Sequence, residues 1–399
     1  MSLTNGTPDE QTGPVQLGHD LRKHFLFDDK YINLNHGSFG TYPAPVLHAL
    51  QRYQVLCEKR PDPFIRYTYP ADLDRSRADL ASLLHVPVEE VVLVPNATTG
   101  VNTVLRSLTY QAGEKIIYFS TTYGACEKTV DYICETTPAE GIKLELKYPL
   151  SDDALVDSFR AAIKQEYQGG KTTVKVAIID TIVALPGVHM PYQRLVQPVK
   201  EIFNPMPSSS TSKSAYVTQF EFVGTIDNGP YLCVPDALAF RRDICGGEDR
   251  IREYCIRLAK EGGDLAADIL GTDVLENAEK SLRNCSFANV RLPLAISSSP
   301  DQAIGSEIPA QDLPQLCVYL SRHLVYESNT FLAFFWHANT LYARFSAQVY
   351  LNESDFQYGA HAVKRLCERI AKTRSNGQPV YLAEVGDELG HGLLGLELL

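Results

Sequence analysis

The stretch Asn96-Ala97-Thr98-Thr99-Gly100 follows a short apolar run and opens a helical one. The free N–H groups of a first helical turn, two hydroxyls and the positive end of a helix dipole would together cradle a phosphate. The same residues serve equally as an ordinary N-cap, through Asn96 or Thr98. No Lys-Ser/Thr follows and the spacing is not GxGxxG, so this is neither a P-loop nor a dinucleotide fingerprint. Tyr123 follows a second apolar run and Asp180-Thr181 a third. All would then fall at one carboxyl edge of a parallel sheet, where open α/β sheets receive ligands. Tyr123 there could stack on an aromatic cofactor or be a half-buried loop aromatic. In the loop Asn35-His36-Gly37-Ser38-Phe39-Gly40, His36 and Ser38 could line the mouth of that edge or be turn residues.

These residues need a scaffold, and the chain carries one. Strand-like runs at residues 91–95, 115–120, 143–148 and 174–179 alternate with helical stretches at 98–108, 125–135, 151–167 and 191–202. That alternation implies a mostly parallel sheet with helices on both faces. Two helices precede it, one opened by Pro43 and Pro45 and running to Lys59, the other over residues 71–84. A Pro/Ser-rich segment at 203–213 breaks the rhythm. Beyond it come a strand at 219–223, a helix starting near Pro230 and a long helix over 248–270. Strands at 287–294, 331–336 and 341–346, with helices at 313–323 and 353–371, then suggest a smaller α+β domain. The expected layout is a loose, disordered arm at 1–20, a large domain at 21–270 including an N-terminal segment, a small domain at 271–375 and a tail at 376–399.

Composition narrows the function classes. With 399 residues, 44% hydrophobic and 21% charged, the chain is long enough for two or three globular domains. A net charge of -11 argues against nucleic acid or an anionic membrane as partner. No basic, then apolar, leader opens the chain and no run approaches a membrane span. Nine cysteines without a CxxC pair or zinc-like spacing read as reduced thiols of a cytoplasmic protein, with no metal site.

Taken in order, Asn35-His36-Gly37-Ser38-Phe39-Gly40, Asn96-Ala97-Thr98-Thr99-Gly100, Tyr123-Gly124-Ala125-Cys126, Asp180-Thr181, Phe222-Val223-Gly224-Thr225-Ile226-Asp227 and Arg344-Phe345-Ser346 resemble the class V aminotransferase family. Those enzymes use pyridoxal 5'-phosphate on fold type I. The nearest branch is isopenicillin N epimerase-like, and within it the fungal hercynylcysteine sulfoxide lyases of ergothioneine synthesis. The likeness covers roughly residues 20–375. It implies a homodimer acting on a small amino-acid substrate. Thr98 and Thr99 would hold the cofactor phosphate, Tyr123 would cover its ring, and Asp180 would also contact the cofactor. Thr225 would reach the phosphate of the neighbouring subunit. Arg344 would clamp the substrate carboxylate with its planar fork, and Asn35 and His36 would border the substrate. The implied reaction is β-elimination from a cysteine-conjugate sulfoxide by a C–S lyase. The alternatives are an epimerase-like or cysteine desulfurase-like activity, or a non-catalytic binding partner.

One part of the family's machinery is missing. The family carries an Asp that pairs with the pyridinium nitrogen, in a Val-Asp-Gly-Ala-His-like strand end, and then a His-Lys pair whose lysine forms the Schiff base. Here Val199-Lys200-Glu201-Ile202 runs directly into Phe203-Asn204-Pro205-Met206-Pro207, and neither motif occurs. Roughly two βα units of about thirty residues each are absent. Lys213 in its Ser-rich loop and Lys200 on a helix are poor substitutes. The expectation is therefore an interrupted sheet and no catalytic lysine. Loss of interior strands exposes apolar edges, which favours a truncated reading of a longer gene over an evolved pseudoenzyme.

Overall fold

The computed structural model describes residues 13–375, apart from 169–170, 203–213, 222, 225 and 298–306. The Pro/Ser-rich break, Lys213 and Thr225 thus lie outside the described residues. The longer helices, in chain order, are α1 (Ala44–Lys59), α2 (Tyr69–Leu84), α3 (Ala97–Ser107), α4 (Gly124–Thr136), α5 (Asp152–Gln165), α6 (Tyr192–Ile202), α7 (Ala215–Glu221), α8 (Glu248–Leu270), α9 (Leu313–Ser328) and α10 (Glu353–Ser375). The strands that matter are β1 (Ile32–Asn33), β2 (Lys115–Phe119), β3 (Glu140–Leu144), β4 (Val174–Ala177), β5 (Phe287–Arg291), β6 (Thr330–Phe331), β7 (Ala333–His337) and β8 (Thr340–Ser346). Among the described residues no helix is long and apolar enough to cross a membrane.

Strands β3, β2 and β4 lie side by side in that order, all parallel. Central β2 shows why both faces must be covered. Ile117 and Phe119 enter a core with Phe159, Val156 and Leu195 from α5 and α6. Ile116 and Tyr118 enter the opposite one, with Leu105, Val130 and Ile133 from α3 and α4. Period-2 alternation between two apolar layers is what a parallel strand with helices on both sides requires. Helix α5 starts at Ser151, whose hydroxyl accepts from the Ala154 N–H at 3.1 Å, with Asp152 and Asp153 in the first turn to complement the dipole.

The second sheet is antiparallel, in the order β5-β8-β7. Helices α8, α9 and α10 pack with it into one core that also takes Leu17, Leu21 and Leu34 from the N-terminal segment. Strand β1 pairs in parallel with β6, Ile32 opposite Thr330. The architecture is an α/β fold: a parallel-sheet region beside a smaller antiparallel one.

Two expected strands do not form. Residues 91–95 have no ladder, because the Val91 carbonyl is taken at 2.7 Å by Nε of buried Arg77 and the Val91 N–H donates to Val88. Residues 219–221 belong to helix α7 instead of a strand. Ser214 caps its start through the Val217 N–H, and Tyr216 meets Phe220 one turn on. The apolar spacing there fits period 3.6 as well as period 2.

Helices α9 and α10 are tied by Glu327, which accepts from both terminal nitrogens of Arg369 at 2.8 and 2.7 Å. Hydrogen bonds from Arg369 and then His323, opposed by partial burial, hold the Glu327 carboxyl down to about 2. A depressed folded-state value means the stabilisation is complete above the ordinary carboxylate range and disappears as pH falls towards 2. The pair is partly exposed, so Glu327→Gln is expected to cost only about 0.5–1 kcal/mol at pH 7. Denaturant unfolding of both proteins at pH 7 and pH 3 checks it: the gap should narrow at the lower pH.

Candidate functional site

In each βα unit the helix begins where the strand ends, so helix N-termini gather at the carboxyl edge of the parallel sheet. Helix α4 follows β2 in this way, and α3, with no strand before it, has its N-terminus beside that of α4. Asn96 caps α3, its side-chain oxygen accepting from the Thr99 N–H at 2.8 Å. That bond uses Thr99 N–H, and among the described residues nothing bonds the hydroxyls of Thr98 and Thr99 at the end of the helix. Half-buried Tyr123 stands at the N-cap of α4 without a side-chain cap bond. One bridge holds the two ends together: Asn102 donates to the Thr98 carbonyl at 3.0 Å and to the Thr129 hydroxyl at 2.9 Å, while Thr129 donates to the Ala125 carbonyl at 2.9 Å. Thr98 and the first turn of α4 are therefore neighbours.

Polar atoms without partners collect just past the strand ends. Thr121 and Thr122 hydroxyls after β2, the Tyr148 hydroxyl after β3 and Asp180 Oδ2 after β4 are all buried and unbonded. Burial pushes the Asp180 carboxyl up. It also pushes the Tyr148 phenol up, with the Asp180 charge adding to the effect, and the Cys126 thiol is raised by burial and by Asp180 in the same way. Orphaned buried polar groups are costly, and such a concentration marks a place built to receive hydrogen-bonding atoms. Tyr148 carries no sequence signal of this role, because only the fold brings it to Asp180.

Arg344 lies on β8 and is 4% exposed. Its Nη1 donates to the Ala184 carbonyl at 2.5 Å, its Nη2 to Ser38 Oγ at 2.5 Å and to Asn35 Oδ1 at 3.4 Å, and its Nε has no partner. The Phe287 ring lies under the guanidinium, 4.8 Å from its centroid. Among the described residues no carboxylate neutralises the group. Burial lowers it to about 10, which still leaves it charged at neutral pH. The sequence pointed to Arg344 and Asn35. It gave no sign of Phe287 or of the Ala184 carbonyl, which arrive from other elements.

His36 sits in the same loop as Asn35, its Nδ1 sharing a 2.9 Å hydrogen bond with the hydroxyl of fully buried Tyr350. Burial, then Arg241, lowers its pKa. The loop thus packs on Tyr350 through His36 and on the antiparallel sheet through Gly37 and Ser38, which bond Ser346 and Arg344.

A phosphorylated aromatic aldehyde fits part of this arrangement. The two helix ends, the free hydroxyls and the unpartnered Asp180 carboxyl suit a phosphate and a polar ring. The covalent attachment does not fit. Lys115 and Lys175 sit on β2 and β4 and are spoken for by Glu166 at 2.8 Å and Glu114 at 2.7 Å, while Lys143 bonds Glu127. Among the described residues no hydrogen bond joins a lysine to Asp180, Tyr148, Thr98 or Arg344.

No family model matches the chain. It is 30% identical to the L-cysteine desulfhydrase-like protein lolT1 of Epichloe uncinata over 449 positions, covering 91% of this chain and 98% of that one. The chain belongs to the L-cysteine desulfhydrase-like family. The alignment is longer than the 399 residues available here, so lolT1 carries residues with no counterpart in this member. Likeness to the hercynylcysteine sulfoxide lyase of Schizosaccharomyces pombe is weaker, 21% over 88% of this chain and 98% of that one. The expected kinship with sulfoxide lyases thus holds at the level of the wider group, while the desulfhydrase-like relative shares more of the sequence. Among solved structures, the cysteine desulfurase CsdA of Escherichia coli superposes with a TM-score of 0.60 at 15% identity, covering 88% of this chain and 98% of that one. A mutant of C-DES with glycine linked to its pyridoxal phosphate cofactor gives 0.54 at 14% identity, covering 92% and 99%. The fold is therefore that of the fold type I pyridoxal phosphate enzymes.

Proposed function

We propose that this family member is built for C–S bond cleavage in L-cysteine or a cysteine S-conjugate, as a pyridoxal phosphate lyase of the desulfhydrase kind. The observation that carries the reading is Arg344: a buried cation with no anion of its own among the described residues, held against the Ala184 carbonyl in the segment that follows β4, suits an amino-acid carboxylate. Bound pyridoxal phosphate supplies the electron sink that makes a Cα proton removable. Thr98 and Thr99 would hold its phosphate, Tyr123 would cover the ring, Asp180 would meet a polar ring atom, and Thr225 would serve the neighbouring subunit of a homodimer. Asn35 and His36 would border the substrate.

The cysteines favour a lyase over a desulfurase that parks sulfur on its own thiol. All nine are free. Every one of their pKa values is raised, with burial the first cause. None is poised as a thiolate nucleophile. Reduced thiols also suit a cytoplasmic location.

The polypeptide as it stands lacks the base. Treating it with pyridoxal phosphate and borohydride is expected to give no stable covalent adduct, and L-cysteine is expected to release no pyruvate or sulfide. An adduct mapped by mass spectrometry to any lysine would overturn this. A form of the protein with an Asp-Gly-Ala-His-like motif and a His-Lys pair inserted after Ile202 should release both products from L-cysteine. If that form acted on hercynylcysteine sulfoxide and left L-cysteine untouched, the ergothioneine reading would replace the desulfhydrase one.

A further inference from the structure

The Arg344 guanidinium is deeply buried, yet Ser38, which bonds it, is exposed. A hydroxyl offers one donor and two acceptor positions. Ser38 Oγ accepts from Arg344 Nη2 at 2.5 Å, and no described acceptor takes its own O–H. Next to Nη2 on the same side of the guanidinium, Nε is buried and unpartnered. The other side is closed, because Nη1 is fixed on the Ala184 carbonyl. One edge of the fork thus has Nε unpartnered and Nη2 held by Ser38 and by the long Asn35 bond, with a spare hydroxyl donor beside it.

We infer that Ser38 is a carboxylate-positioning residue: it holds the Nε/Nη2 edge of Arg344 towards the site and donates its O–H to the same carboxylate. This deepens the proposed function and rests on Arg344 being the carboxylate anchor. A carboxylate approaching from solvent meets Ser38 first. One of its oxygens takes the Nε proton and the other displaces Asn35 Oδ1 from its long, 3.4 Å bond to Nη2. The hydroxyl keeps its bond from Nη2 and supplies a third donor. Three donors converging on one anion, two of them charged, discriminate a carboxylate from an isosteric amide, whose NH2 would face N–H donors.

The test uses the intact chain, with L-alanine and L-alaninamide as probes in nuclear magnetic resonance titrations. Wild type is expected to prefer L-alanine, and Ser38→Ala to weaken L-alanine binding about tenfold while leaving L-alaninamide unchanged. Ser38→Thr, which keeps the hydroxyl, should restore the preference. A merely structural serine would lower both probes together, and that outcome, or a Ser38→Ala protein with its preference intact, overturns the assignment. Arg344→Met separates the two levels: undiminished L-alanine binding there would remove the anchor itself, whatever Ser38 does.

Discussion

Arg344→Met is expected to unfold at a higher temperature than the wild type when no ligand is present, and to lose the stabilisation that an amino-acid carboxylate confers. A guanidinium that is 4% exposed has given up most of its hydration. Its partners, the Ala184 carbonyl, Ser38 Oγ and Asn35 Oδ1, are all neutral, so no Coulomb attraction offsets that loss. Exchanging uncompensated buried charge for an apolar chain of similar volume typically gains about 1–3 kcal/mol, even after the neutral bonds are lost. For a chain of this size that corresponds to roughly 1–4 °C. Thermal unfolding with and without an excess of L-alanine checks both halves. Equal destabilisation in both conditions would mean that the three neutral bonds outweigh the buried charge, and that the site was not made for an anion.

The second large effect concerns Gly37. A Cβ there would stand 2.2 Å from Cε1 and 2.3 Å from Cζ of Phe287. The ring has little room to retreat. On its other flank a Cβ at Gly187 would already lie 3.1 Å from it and 2.7 Å from Cδ of Arg344, and the guanidinium lies over its face. Gly37→Ala is therefore expected to cost about 1–3 kcal/mol, as overpacking does, and to displace the Asn35–Ser38 bonds to Arg344. Denaturant unfolding measures the first, and the alanine titration the second. The double variant with Phe287→Leu should recover most of the loss, because a smaller side chain vacates the space. Purely additive costs would show that the clash is relieved elsewhere.

Local signals were read well where a residue acts on its own backbone. Helix α8 runs over the expected residues because Gly247 precedes it and Gly271, with φ of 67°, ends it in the left-handed region. Ser151 announced α5 through its own cap. The failures came where a distant group decided the outcome. Residues 91–95 have strand composition, but the Arg77 guanidinium reached their first carbonyl. Tyr123 follows β2 and Asp180 follows β4, as βα alternation leads one to expect, whereas Thr98 comes beside the start of α4 through Asn102 and Thr129 with no strand before α3. Tyr148 and Phe287 were not legible, since nothing in their own neighbourhoods shows that Asp180 or Arg344 will stand beside them. The lysine is a different matter: its absence is an expectation that rests on the sequence alone, at the junction after Ile202.

The short pairing of β1 with β6 has one more result. Ile32 and Asn33 are stitched to Thr330 and Phe331, the Thr330 hydroxyl donates to the Ile32 carbonyl at 2.7 Å, and the Ser346 N–H donates to the Leu34 carbonyl at 2.8 Å. The loop carrying Asn35, His36 and Ser38 begins two residues past β1, so it is fastened to the antiparallel sheet that bears Arg344. Anchor and loop therefore form one cassette. Its seam with the parallel-sheet region is wider than the Ala184 bond, taking in Asn289 on the Gly187 carbonyl and Phe335 and Tyr342 in the core around Phe119, so the seat around Arg344 is set in place by both sheets at once.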